Sequence, residues 1–182
     1  MGKTYPGIDA RNAAFIRQQQ IFFVATAPSS LDGHVNLSPK GLKSFAILNE
    51  NTVAYLDLVG SGIETAAHLR ENGRIALLFC AFEGPPRLLR LHGRGEVVEP
   101  GDEAWDLLRE SFPPYDAARC IIRVAVARVS DSCGYGVPLY QYQGDRTQLL
   151  DWAERKRPEG IAAYKAENNR SSIDGLPGLR RL

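Results

Sequence analysis

The run GSGIETAAHLRENGRIALLF, residues 60 to 79, joins a glycine-rich turn to a helical stretch and then to an apolar run. A helix start presents unpaired backbone N–H groups and the positive end of the helix dipole, and both favour an anion. Ser61 and Thr65 add hydroxyl donors, and Gly62 lines the same turn. Glu64 would repel a phosphate if it faced inward, so it is expected to point away or to meet a hydroxyl or a ring edge. Gly60 and Gly62 do not complete a G-x-G-x-x-G fingerprint, and a small-residue turn that only caps a helix reads equally well. In VNLSPKGLKS, Ser38, Lys40 and Lys43 flank a Pro39–Gly41 interruption, which lets a strand edge offer a cation and bare backbone. Arg87 and Arg90 stand three apart in PRLLRLHGR, on opposite faces of an extended strand. One can face a ligand while the other meets solvent or a partner chain, although an amphipathic strand with two solvated arginines is the simpler alternative. In DSCGYGVPLY, Gly134 and Gly136 permit a tight loop in which Cys133 and Tyr135 could cover a planar ring. No base or cation adjoins Cys133 to hold it as a thiolate. His34, His68 and His92 share no metal spacing, no Ser-His-Asp or paired-carboxylate set assembles by proximity, and so no metal site is expected and no catalytic residue is named.

The elements that must position these residues follow from periodicity. Asp9 can cap a helix over ARNAAFIRQQQ. IFFVATA and HVNLS, separated by an Asp32-Gly33 turn, predict a hairpin, and KSFAIL with TVAYLDLV predicts a second. After the opening stretch, RIALLFCAF and RLLRLHGRGEVVE read as strands around a Gly84-Pro85-Pro86 break. Gly93 and Gly95 suggest a bulge or bend where a sheet curls into a barrel. DEAWDLLRES predicts a helix, CIIRVAVARVS a long strand, and the chain beyond about residue 146 a polar helix followed by a Gly- and Pro-rich tail. Short antiparallel strands dominate without a regular strand–helix alternation, so an α+β barrel is preferred over a doubly wound parallel sheet. The expected division is a barrel domain over 1–146 and a helical extension over 147–182 packed on it.

Composition narrows the partners. Lys plus Arg (22) nearly balances Asp plus Glu (21), which argues against a general polyanion or nucleic-acid binder, so any anion site must be local. No h-region or apolar run long enough to span a bilayer is visible, giving the expectation of a cytoplasmic chain with no membrane partner. The 3 cysteines, Cys80, Cys120 and Cys133, are widely spaced and suggest neither a disulfide framework nor structural zinc.

Taken in order, FFVATA, DGHVNLSPKG, TVAYLDL, the turn into AHLRENGRIALLF, and RLLRLHGRGEVV resemble the pyridoxamine 5'-phosphate oxidase-like family. Within it, GSG-x-ET, FCAFEGPPR, CGYGVP and the tail's SIDGLPGL resemble a subgroup. The resemblance implies an antiparallel split β-barrel of the FMN-binding type with flanking helices, a homodimer with cofactor at the interface, and an FMN-dependent oxidoreductase acting on a small-molecule substrate. Carried over by residue, it implies that Lys40 and Thr65 hold the FMN phosphate, with Ser61 and Gly62 lining the turn. The backbone of Ser38, Lys40, Gly41 and Leu42 would run beside the ring, and Arg87 would reach flavin or phosphate. Arg90, or Cys133 and Tyr135 in the CGYGVP loop, would approach the cofactor of the other chain, with Arg90 or Lys43 at the ring's N1/O2 edge. Three departures point away from pyridoxamine phosphate as the substrate. Glu64-Thr65 stands where the true oxidase has Arg-Lys, Leu88 stands where it has Gln, and SSIDGLPGLRRL has no counterpart of its arginine-containing C-terminal segment. With phosphate charge then left to Lys40 and one arginine, a non-catalytic protein that binds flavin, deazaflavin or heme is the alternative, and a cofactor-free dimer the third.

Overall fold

The structure, a computed structural model, describes residues 2–182. The elements run β1 (Thr4–Tyr5), α1 (Ala10–Gln18), β2 (Phe22–Thr26), β3 (Asn36–Lys40), β4 (Phe45–Asn49), β5 (Thr52–Leu58), α2 (Glu64–Asn72), β6 (Arg74–Cys80), β7 (Leu88–Val98), α3 (Trp105–Arg109), β8 (Ala118–Ser132) and α4 (Gln148–Asn168). Asp9 caps α1 by accepting the Asn12 N–H at 2.7 Å. Both expected hairpins form, β2 with β3 and β4 with β5, and every strand pairing is antiparallel. The sheet runs β3-β2-β6-β7-β8-β5-β4, with β1 added beside β8.

The two edge strands are β3 and β4, and an edge is where a strand tolerates Pro39, which has no N–H to give a ladder. The sheet curls until its ends meet through side chains. Phe45 of β4 lies 5.0 Å, ring to ring, from both Phe22 of β2 and Phe79 of β6. This aromatic knot closes an antiparallel split barrel without a ladder between the edges. The alternating residues Val53 and Tyr55 of β5 and Cys120, Ile122 and Val124 of β8 fill its interior. The intervening Ala54, Leu56 and Ile121 pack outward against Leu108 and Phe112, so the central strands are buried on both faces.

Glycines shape the curl where a side chain would collide. The β7/β8 register shifts between His92 and Gly93, and a Cβ on Gly93 would come within 2.2 Å of the Ala125 carbonyl oxygen. At Gly95 a Cβ would press on Leu69 of α2 at 2.9 Å, so this glycine lets α2 lie close on the sheet. α4 is kinked at Arg157-Pro158, where Arg157 takes φ 57°, and it packs Ala153 and Ile161 against Val59 and Ala117. The helix expected across residues 102 to 111 is reduced to the five residues of α3. Among the described residues, no helix is long and apolar enough to cross a membrane.

Candidate functional site

At one end of the barrel, β3, the end of β5, the Gly60–Gly62 turn and the start of α2 surround a cavity of 350 Å³. That lies near the lower end of the range of about 300–1,000 Å³ typical of small-molecule sites. Its wall includes Ser38, Lys40, Gly41, Leu42, Ser61, Gly62, Thr65 and, unexpectedly, Arg119.

Arg119 arrives by an irregularity. Asp57 of β5 pairs with Cys120 of β8, but the next residue, Leu58, pairs with Ala118, leaving Arg119 as the extra residue of a bulge. A bulge re-aims the side chain of its extra residue. Here it lets Arg119 Nε donate to Asp57 Oδ2 at 2.8 Å, while Lys40 Nζ from the edge strand donates to Asp57 Oδ1 at 2.6 Å. Burial alone would raise the Asp57 carboxyl, but the Arg119 and Lys40 charges outweigh it and hold the group at about 2. The three ionised groups therefore sum to one net positive charge. Arg119 Nη1 is used on the carbonyls of Gly62 (2.7 Å) and Gly60 (3.3 Å) and on Asn169 Oδ1 (3.0 Å), so the guanidinium is fixed in place while its residue remains part of the cavity wall.

The α2 terminus supplies the other half of the site. Its cap residue is Ile63, which makes no side-chain cap, so the first-turn N–H groups have no capping acceptor from that side chain. Glu64 does not fill this role. Its carboxylate folds back over Gly62 and accepts the Ile173 N–H of the C-terminal tail at 3.2 Å. Thr65, 5% exposed, accepts from Asn36 Nδ2 at 3.0 Å, and Asn36 continues to Thr26 and from there to the buried His68. Burial lowers the His68 pKa from its ordinary value, which favours the neutral imidazole. A Cβ on Gly60 would meet nothing within 4 Å. The space beside this turn is open, and an anion is favoured there by the uncapped amides and by the one net positive charge of the Lys40–Asp57–Arg119 set, while the Glu64 carboxylate on the same wall opposes it.

A second, larger groove of 1,210 Å³ shares Pro39–Leu42 and Leu149 with the small cavity. Its far wall is the segment around Tyr140–Arg146, tied down where Tyr140 N–H donates to the Phe82 carbonyl and Tyr142 N–H to Glu83 Oε1. Leu42 and Lys43, at the turn between the edge strands, both take left-handed φ values of 59° and 53°, a conformation L-residues adopt at a cost. Lys43 is exposed there.

Not every expected residue joins this site within one chain. Arg87 Nη2 donates to Asn12 Oδ1 at 2.5 Å and lies 3.4 Å from Asp131, with its guanidinium over the Phe15 ring. Those partners hold it beside α1, and Arg119 takes the place beside Lys40. Arg90 donates to Ser132 Oγ. Cys133 and Tyr135 are exposed and line neither cavity. Sequence patterning does not single out Asp57, Arg119, Asn36 and Asn169, which the fold brings to this turn and cavity. A lone Asp in the apolar run TVAYLDLV was the available signal for the first, since a carboxylate there needs a buried cation.

Comparison with known proteins agrees with this architecture. The model of the family described as pyridoxamine 5'-phosphate oxidase matches residues 8–133. The chain belongs to that family. Within the family, it is 40% identical over 179 residues to the pyridoxamine 5'-phosphate oxidase family protein ustO of Aspergillus flavus, covering 89% of this chain and 72% of that one. Among solved structures, a HupZ variant from Group A Streptococcus superposes with a TM-score of 0.53 at 22% identity, over 69% of this chain and 99% of that one. A candidate pyridoxamine 5'-phosphate oxidase from Lactobacillus delbrueckii gives 0.52 at 17% identity, over 69% and 94%. These two likenesses show the family's split-barrel fold.

Proposed function

We propose that the chain is an FMN-dependent oxidoreductase acting on a small organic molecule other than pyridoxamine phosphate. The observation that carries this reading is the convergence of Lys40, Arg119 and the uncapped α2 terminus on the 350 Å³ cavity beside Gly60. Membership of the family supports a flavin as the ligand that places a phosphate there. Lys40 and Arg119 would neutralise the phosphate, and Ser61, Gly62 and Thr65 would offer it hydroxyl and backbone donors. The backbone of Ser38–Leu42 would then lead the ring toward the larger groove, which would also receive the substrate. Bound there, the flavin would supply the electron transfer, and the protein's part is to position it, exclude water and hold a cation near it.

The same reading makes the molecule a homodimer. Tyr135, Leu139 and Tyr140 are 81%, 75% and 63% exposed on one short segment, more apolar surface than a loop tip ordinarily presents. A partner chain covering it would bring Arg90, Cys133 and Tyr135 toward the cofactor of the other subunit.

The test is to add FMN to the purified protein, desalt it, and record the absorption spectrum with and without a nicotinamide reductant. Retained flavin bands, with one FMN per chain released on denaturation and bleaching on reduction, are expected. A heme or deazaflavin spectrum, or no retained chromophore after FMN addition, would overturn the proposal.

A further inference from the structure

The family match ends at residue 133, yet the phosphate turn is braced by residues far beyond it. Asn169, fully buried just after α4, donates from Nδ2 to the Gly60 carbonyl at 2.9 Å and accepts Arg119 Nη1 on Oδ1 at 3.0 Å. One amide thus joins the turn to the buried cation. The segment that carries it is itself firmly tied to the barrel. Its Gly178 N–H donates to the Arg170 carbonyl and Leu179 N–H to the Asn169 carbonyl, which folds residues 170 to 178 into a closed loop. Gly178 lies so near Ile63 that a Cβ would approach it at 2.9 Å, and its carbonyl accepts Arg70 Nε of α2 at 2.8 Å. Asp174 accepts the His34 N–H at 2.9 Å, and the N–H groups of Arg180 and Arg181 both reach the buried carboxylate of Glu99. Leu179 is 6% exposed in the main core.

We propose that Asn169 is a positioning residue for the phosphate site, holding Arg119 and the Gly60 carbonyl in one arrangement so that the α2 amides and the guanidinium face the same anion. This inference rests on the FMN reading above. The geometry gives the amide its use: its donor and its acceptor, two atoms on one carbon, serve the Gly60 carbonyl and the Arg119 guanidinium together. With the amide gone, Arg119 Nη1 retains only the turn carbonyls and the Gly60 carbonyl loses its side-chain donor, so the turn relaxes away from the geometry an anion needs.

The experiment compares equilibrium binding of FMN and of riboflavin, which lacks only the phosphate, to the full chain, to Asn169→Ala and to Asn169→Asp. In Asn169→Ala, FMN affinity should fall about tenfold while riboflavin affinity stays within about twofold. Asn169→Asp keeps the volume and the acceptor for Arg119 but loses the donor to Gly60 and adds a negative charge beside the turn, so its FMN affinity should fall at least as far. Asn169→Leu, which keeps the volume and adds no charge but has neither polar group, carries the test if the alanine variant fails to fold, with the same selective loss of FMN affinity expected. Equal losses for both ligands, or no loss for FMN, would overturn the positioning role while leaving the phosphate site standing. No preference for FMN in the unsubstituted chain would overturn the phosphate reading and this inference with it.

Discussion

Asp57 is 1% exposed at its side chain and serves two cations at once, so its charge belongs to the fold as well as to the site. Removing one member of a buried ion cluster leaves the others uncompensated, typically at a cost of about 3 kcal/mol or more. Asp57→Asn should therefore lower the melting temperature by roughly 5–10 °C, and added FMN should recover part of that loss by supplying negative charge to Lys40 and Arg119. Differential scanning calorimetry with and without FMN checks both. The pH dependence has a definite sign. The folded-state pKa of Asp57, at about 2, lies below its ordinary 3.8, so the stability it contributes is complete above about pH 4 and is lost as pH falls toward 2. Asp102, held at about 2 by the Glu99 N–H and then by Arg181, titrates over the same window. Acid unfolding should steepen there, and a stability profile flat from pH 5 to 2 would contradict the buried triad. Cys120, in contact with Asp57, has its thiol pushed up by burial and then by that carboxylate, so it is not a nucleophile.

The elements read well from sequence wherever a period decided them. The two hairpins stand in β-branched, alternating runs with turn residues between them, whereas α2 and the bend of β7 are marked by glycines and α4 only by a polar helical stretch. The site read less well because its decisive residue sits where a period breaks. Arg119 lies in a β8 bulge, and no local pattern says that a strand gains one residue against a partner sixty positions away. Local spacing leaves Arg87 and Arg90 equivalent and only the family resemblance singles out Arg87, whose commitment to Asn12 and Asp131 depends on the docking of α1 and on the end of β8. Two glycines separate packing from binding at this scale. Gly93→Ala forces a Cβ onto the Ala125 carbonyl and should cost about 2 kcal/mol with little change in ligand preference. Gly60→Val enters open space beside the turn proposed to hold the phosphate, so it should leave stability within about 0.5 kcal/mol and weaken FMN binding at least tenfold. Thermal melts paired with flavin titrations check both, and a Gly60 variant with full FMN affinity would move the ligand elsewhere.

At the scale of the molecule, the curled sheet packs Phe45 of edge strand β4 against Phe22 and Phe79 of the inner strands β2 and β6, and the end of β3 lies beside β5, where Lys40 reaches Asp57. The cavity is therefore a product of barrel closure, with the C-terminal tail laid over its turn. The proposed homodimer would use the exposed Tyr135–Tyr140 segment: sedimentation should show a dimer, and Tyr135→Asp with Leu139→Asp should shift it to monomer and weaken flavin binding, whereas a dimer unaffected by both changes would place the interface elsewhere. The central claim is that the Lys40–Arg119 cavity holds a flavin phosphate. Its most direct measurement is equilibrium titration of the unsubstituted chain and of Lys40→Ala with FMN and with riboflavin. The account predicts a preference for FMN of about a hundredfold or more that falls at least tenfold in Lys40→Ala while riboflavin binding is unchanged. Equal affinity for the two flavins in the unsubstituted chain, or an FMN preference that survives the loss of Lys40, would contradict it.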